Sequence, residues 1–178
     1  MARYAIDPER SRVWIHGRST VHPIHSEAKG LEGSIELELD GDGRVDLSVA
    51  PEASMSFPVA RLKSTNPLEE REMKRRIDAR RFPTIDGRLR SMAAGDGDEY
   101  RVSGEVTFRG VTNEYEDAMS IEALDEDTLR LTGEARFDVR DFGMEPPRIL
   151  MLRVEPEVDV RVEIVAVRDA TVSDPGGA

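Results

Sequence analysis

The sequence predicts an all-β chain, an antiparallel barrel of about eight strands with one helix inserted near residues 66–81. Three observations predict it: long runs in which apolar and polar residues alternate with period two, Gly/Asp clusters between those runs, and one segment whose apolar spacing switches to that of a helix. Alternation marks strands with one face buried and one face wet. Closure into a barrel is preferred over a two-sheet sandwich because the runs are long and a closed sheet leaves no edge exposed.

The clearest strands come late. Tyr100, Val102, Gly104, Val106 and Phe108 share one face, with Arg101, Ser103, Glu105 and Thr107 on the other. Leu129, Leu131, Gly133, Ala135, Phe137 and Val139 alternate with Arg130, Thr132, Glu134, Arg136 and Asp138. Val158, Val160, Val162, Ile164 and Ala166 form a third stripe opposite Asp159, Arg161 and Glu163. Weaker runs are Val13-Ile15-Gly17-Ser19-Val21, Leu31-Gly33-Ile35-Leu37-Leu39, Ile85-Gly87-Leu89 and Tyr115-Met119-Ile121. Val45, Leu47 and Val49 are read as a further strand after the turn Asp40-Gly41-Asp42-Gly43, whose residues tolerate positive φ. Gly95-Asp96-Gly97-Asp98 and Gly110 mark two more turns.

The helix is announced by Asn66 as N-cap, Pro67 at the first helical position and Glu69 three residues after the cap. Leu68, Met73 and Ile77 are read as its apolar face, and Glu70–Lys74 and Glu72–Arg76 as i,i+4 pairs. Arg80 and Arg81 complement the C-terminal dipole, and Pro83 is the expected stop. Residues 1–168 read as one domain and 169–178 as a disordered tail.

Composition narrows the function. There is no cysteine, so neither disulfides nor thiolate metal sites exist, in keeping with the cytosol. The N-terminus has no signal-peptide pattern and no apolar run approaches the ~18 residues of a membrane span, which predicts a soluble cytoplasmic protein without stable membrane insertion. The net charge of -11 argues against nucleic acid. The one basic cluster, Lys74-Arg75-Arg76 with Arg80-Arg81, is interleaved with Glu69, Glu70, Glu72 and Asp78.

Catalytic readings find little support. His22 and His25 fall on opposite faces of a continuous strand, with Pro23 between them, so the histidines read as exposed loop residues and no metal is expected. Asp141-Phe142-Gly143 has none of the partner motifs of a kinase and reads as a turn. Acidic pairs such as Glu69-Glu70 read as solvated surface. What stands out is five glycines, Gly17, Gly33, Gly87, Gly104 and Gly133, in register with the apolar stripes. Glycine weakens a strand, so they mark either bends that close the sheet or space left for a ligand.

The order of these signals resembles the YceI-like family. Tyr4-Ala5-Ile6-Asp7-Pro8 with Ser11, Val13, Ile15 and His22 is similar to its opening strands, and Gly33-Ser34-Ile35 to its glycine before an apolar strand. Asp78–Ile85 resembles its helix end with an aromatic-Pro-x-apolar step. Val102–Thr112 is similar to its G-x-L-T-x-x-G-V-T hairpin, and Asp141-Phe142-Gly143 to the end of its N-R-x-D-F-G motif. Asp138 and Val139 depart from that motif, standing where the family has Asn and Arg. The resemblance spans Tyr4 to about Val167. It implies a lipocalin-like eight-stranded barrel with a helix near one mouth, holding a polyisoprenoid or other amphiphilic lipid, with no cofactor and no catalytic constellation.

On that basis the expected function is a lipid-binding carrier, not an enzyme. Its pocket walls are expected from Val13, Ile15, Ile35, Leu89, Val106, Phe108, Leu131, Phe137, Val160 and Val162. Gly104 and Gly133 are expected to leave space, and Phe82 and Phe142 to stand at the mouth. The alternatives are a stress-related or regulatory protein with a dry barrel, acting through its surface or as a homodimer, and an enzyme in which His16, His22 and His25 converge on a metal or cofactor. The charge balance makes a direct prediction: at physiological salt the protein passes through a heparin column unretained and binds neither DNA nor anionic vesicles. Salt-sensitive retention together with submicromolar DNA affinity would contradict it.

Overall fold

The computed structural model describes residues 1–170 except Pro147 and Leu150. Its strands are β1 (Ala2–Ile6), β2 (Arg12–Ser19), β3 (Ile24–Ala28), β4 (Glu32–Leu37), β5 (Glu52–Pro58) and β6 (Lys63–Ser64). After the helix α1 (Pro67–Ile77) come β7 (Thr84–Ala94), β8 (Glu99–Phe108), β9 (Val111–Ala123), β10 (Thr128–Asp138), β11 (Arg148–Ile149) and β12 (Leu152–Arg168). All pairings are antiparallel.

The sheet closes as an eight-stranded barrel because three wall positions are each made of two short strands. The long β12 pairs with β1 at Ala166–Arg168 and with β2 further back, from Val154 to Glu163. β4 continues the wall beside β1 and β3 beside β2; β5 then follows β4, and β6 follows β3. β7, β8, β9, β10 and β12 complete the ring. The break between β1 and β2 is patched by a buried side chain. Ser11 Oγ accepts from the Val165 amide (3.0 Å) and donates to the Val165 carbonyl (3.3 Å), which also accepts from Asp7 N. A buried backbone left without such partners would be costly.

One end is packed solid around Tyr4, Leu37, Leu129 and Ala166, all nearly inaccessible. The segment after β4 plugs it: Val45 is buried and its amide donates to the Tyr100 hydroxyl at 2.9 Å. The expected strand over Val45–Val49 is therefore wrong; beyond an isolated Leu39–Val45 bridge this stretch is turns. The strand that does occupy the wall is β5. Its inward residues, Ala53, Met55 and Phe57, make a weak stripe between serines, which the periodicity did not flag. β3 was likewise not anticipated.

At the other end β6 pairs only with β3, so no ladder joins it to β7. α1 lies against β6 and fills the gap. Asn66 caps it, its Oδ1 accepting from Leu68 N at 2.9 Å, with Pro67 in the first turn. Glu70–Lys74 (2.8 Å) and Glu72–Arg76 (2.9 Å) form as spaced. The helix ends earlier than expected, at Asp78 in the left-handed conformation (φ 59°), and not at Pro83. Its inward face also differs: Leu68 is 53% exposed, and Glu69, Met73 and Ile77 turn inward. No helix among the described residues is long and apolar enough to cross a membrane. β12 ends at Arg168, and Asp169 N donates back to Arg3 O at 2.8 Å; residues 171–178, most of the expected tail, lie outside the described residues.

Gly33 separates from the other in-register glycines. Its φ of 149° is one that side chains rarely adopt, and a Cβ there would sit 2.0 Å from the Ser54 carbonyl oxygen. At Gly17 a Cβ would meet its nearest neighbours at ordinary contact distance, 3.9–4.0 Å. Gly33→Ala is expected to cost ~2 kcal/mol or more in urea unfolding, and Gly17→Ala less than ~1 kcal/mol. Equal costs would refute this assignment of a backbone role to Gly33.

Candidate ligand-binding lumen

The alternation of the strands delivers one stripe from each wall position to a common interior. That interior is not filled. A cavity of about 370 Å³, within the range of small-molecule sites, runs from the layer of Ile6, Leu37, Leu131 and Ile164 to the layer of α1 and Phe142. Val154 and Ile164, ten residues apart on β12, both border it, which corresponds to roughly 33 Å of strand. Hollowness shows in burial: the inward residues Ile15, Leu89, Val102, Val106, Phe137, Val160 and Val162 are only half-buried, although they point away from bulk solvent.

The residues expected to wall a pocket fall together with one exception. Val13 and Ile15 on β2, Ile35 on β4 and Leu89 on β7 border the lumen. So do Gly104, Val106 and Phe108 on β8, Leu131, Gly133 and Phe137 on β10, and Val160 and Val162 on β12. Phe142 borders it as well, but as a buried closing residue (3% exposed) and not as an open rim. Its ring meets Phe108 edge-on at 5.5 Å and stacks on Tyr115 at 6.1 Å. Phe82 does not reach the lumen; it packs over Gly110, with the Arg81 guanidinium 5.2 Å from its ring centre. The reason is the early helix end: the turn after Asp78 carries Phe82 outward. Four of the five in-register glycines border the lumen, and Gly33 does not.

The lining is overwhelmingly apolar. Glu105 and Glu134 border it from outward positions beside Gly104 and Gly133, where the wall has no inward side chain. Two carboxyl groups stand at inward positions, and periodicity missed both. Asp117 lies between Tyr115 and Met119 on β9, opposite the inward Val102. The β9–β10 ladder stops at Gly133–Met119, so Asp117 sits beside a break in the wall. Loss of hydration raises its pKa above the ordinary 3.8. Glu69 lies one turn before Met73 and two before Ile77 on α1; it is 4% exposed. The reading of Glu69-Glu70 as solvated surface is therefore wrong for Glu69, which the helical period turns to the same side as Met73 and Ile77. Burial likewise pushes the Tyr115 phenol up, with Asp141 adding to the effect.

The histidines do not build a site. His16 on β2, on the wet face of the Val13–Val21 run as the alternation places it, and His25 on β3 are an exposed cross-strand pair with ring centres 4.7 Å apart, so His25 lies on a strand and not in a loop as expected. His22 is in the intervening loop, its Nε2 3.6 Å from Glu69 Oε1. Among the described residues no three metal-ligating side chains converge.

Geometry alone therefore defines a ligand-binding protein: a closed antiparallel barrel around an elongated apolar lumen capped by a helix. The chain belongs to the YceI-like domain family, whose model matches residues 4–166. The fold is shared with BcnA of Burkholderia cenocepacia (TM-score 0.74, 18% identity, 90% of this chain and 98% of that one). It is shared equally with a polyisoprenoid-binding domain from Saccharophagus degradans implicated in plant cell wall breakdown (TM-score 0.73, 11% identity, 95% and 100%). A Campylobacter jejuni YceI protein is similar at TM-score 0.64 and 11% identity, over 81% of this chain and 84% of that one. No curated protein matches the chain by sequence.

A raised carboxyl pKa carries a pH signature. The fold disfavours ionised Asp117, so the penalty is full above its folded pKa and vanishes below the unfolded value of 3.8. Asp117→Asn is expected to stabilise the ligand-free protein at pH 7, by less than about 1 kcal/mol because the group is exposed and screened. The gain should disappear by pH 3. An equal effect at both pH values in urea unfolding would show that desolvation of Asp117 is not its source.

Proposed function

We propose that this protein is a carrier that holds one long apolar chain, a polyisoprenoid or similar amphiphilic lipid, inside its barrel. The observation that carries the reading is the hollow, elongated, apolar lumen bordered by half-buried valines and leucines. The polyisoprenoid-binding description of the Saccharophagus degradans domain supports the same class of ligand. We read the protein as a binding protein and not an enzyme, and as cytoplasmic in keeping with its lack of cysteine.

The mechanism is desolvation. Each methylene moved from water into the lumen contributes ~0.8 kcal/mol, so ten to fifteen carbons offer on the order of 10 kcal/mol gross. Association and ordering remove much of that, which leaves micromolar to nanomolar affinity. A lumen without convergent polar groups along its length selects for length and girth of the chain. The rival reading, a dry barrel acting only through its surface, is disfavoured by the cavity itself: packed interiors contain few voids larger than a water molecule.

Mass spectrometry of an organic extract of the purified protein is expected to find a stoichiometric isoprenoid or similar lipid, and a C15–C20 isoprenoid should bind the delipidated protein. Gly133→Leu provides the structural control. Its Cβ would meet the Met119 Cε at 3.3 Å and the Ala118 carbonyl at 3.5 Å, so the flexible end of Met119 has to give by a few tenths of an ångström for the new side chain to enter the lumen. The variant should stay folded and lose most of the lipid affinity. An empty wild-type barrel that takes up no lipid, or a Gly133→Leu variant that binds as tightly as wild type, would refute the proposal. Gly104 is a poorer site, because its Cβ would lie 3.1 Å from the Arg88 backbone oxygen.

A further inference from the structure

We propose that the corner of the lumen beneath the first turn of α1 is a head-group site, and that it selects a ligand whose polar end donates a hydrogen bond, a hydroxyl or an amine, over one ending in phosphate or carboxylate. The inference rests on the carrier reading and adds to it the chemistry of the ligand's polar end.

Glu69 is the observation. It occupies the inward ridge of α1 with Met73 and Ile77, where the helical period calls for an apolar residue. It is 4% exposed, and its Oε1 has no hydrogen-bond partner among the described residues; the nearest cation-forming group, His22 Nε2, is 3.6 Å away. Glu69 is not consumed by capping. Asn66 Oδ1 takes the Leu68 amide, and the neighbouring Glu70 takes the Ser64 amide (3.2 Å) and Lys74 (2.8 Å). A buried, under-satisfied carboxyl group costs stability, and the cost is recovered when a ligand supplies the missing donor.

The surroundings complete a small polar corner in an apolar lumen. Ser64 Oγ donates to Glu69 Oε2 at 3.4 Å, and Ser26, opposite Ser64 in the β3–β6 ladder, has its Oγ 3.8 Å from Met73 Sδ. Ser26, Ser64 and Glu69 all border the lumen. The basic residues of α1 do not offset the corner's acidity, since Lys74, Arg75 and Arg76 are paired with Glu70 and Glu72 and Arg71 is on the exposed side of the helix. A phosphate or carboxylate placed here meets a carboxylate at short range in a poorly hydrated space. A hydroxyl or ammonium meets an acceptor. Asp117 lies on the opposite side of the ring, on β9, and does not belong to this corner.

The test compares four C20 isoprenoids with one chain and different ends: geranylgeraniol, its methyl ether, geranylgeranylamine and geranylgeranyl phosphate, titrated into the delipidated full chain. The alcohol or the amine is expected to bind at least about ten-fold more tightly than the ether and the phosphate. The two arms identify which donor the site takes. In Glu69→Leu the alcohol and ether should bind alike; in Glu69→Gln the discrimination against phosphate should fall and any preference for the amine should vanish. Unfolding of the ligand-free variants gives a second reading: a site that stores cost for its ligand predicts that Glu69→Leu is as stable as wild type or more so, whereas a structural Glu69 predicts a loss. If Glu69→Leu does not fold, the structural role is supported and the proposal is overturned unless Glu69→Gln folds and shows the stated shift in selectivity. Phosphate binding as well as the alcohol in wild type, or selectivity unchanged in the variants, overturns the head-group site and leaves the carrier intact. Failure of all four to bind overturns both.

Discussion

Backbone pairing around a closed ring is what permits this protein to leave its interior unfilled. In most small folds the core holds the layers together, so a void is destabilising. Here the wall is held by ladders that run from β1 and β2 round to β12, and the inward side chains need only be apolar, not interlocked. Two of the places where the ring is broken are repaired. Ser11 supplies with one hydroxyl the donor and acceptor that a missing stretch of strand would have offered Val165, and α1 covers the gap beside β6.

The two ends of the barrel answer different requirements. The end near Tyr4, Leu37, Leu129 and Ala166 is a conventional packed core, closed by Val45 under the Tyr100 hydroxyl, and it supplies much of the apolar burial that stabilises the fold. The other end is closed by Met73 and Ile77 on α1 and by Phe142 on the turn after β10, with aromatic contacts among Phe108, Tyr115 and Phe142.

Ion pairs brace α1 along its own outer side, and Glu70 also ties it to β6 by accepting from the Ser64 amide. The Lys74 ammonium, followed by the Ser64 amide, holds the Glu70 carboxyl down to about 2, and Arg75 and Arg76 hold Glu72 equally low. Lowered carboxyl pKa values stabilise the fold above the ordinary carboxylate range, and that stability is lost only as pH falls toward 2. The same pairs take up Lys74, Arg75 and Arg76 of the cluster that looks basic in the sequence.

The sequence by itself determined the wall. Strict alternation from Tyr100 to Phe108, from Leu129 to Val139 and from Val158 to Ala166 leaves no choice of register, because a one-residue slip would turn every apolar side chain outward. Most lumen residues were legible for that reason, as was the N-cap at Asn66. Tertiary structure alone decided the rest. β5 has too few large apolar residues to declare itself, and Val45 to Val49 look like a strand yet serve as a plug, because chain closure at that end needs a cap more than another stave. Whether the in-register glycines made bends or space was undecidable from spacing; the carbonyl of Ser54 assigns Gly33 to the backbone, while Gly133 borders the lumen with the Met119 side chain against it. Phe82 was misplaced because Asp78 adopts a left-handed conformation that ends α1 early. Glu69 and Asp117 gained their significance only when the fold turned them inward, since a charged residue in a sequence defaults to water and only its neighbours in space can say otherwise.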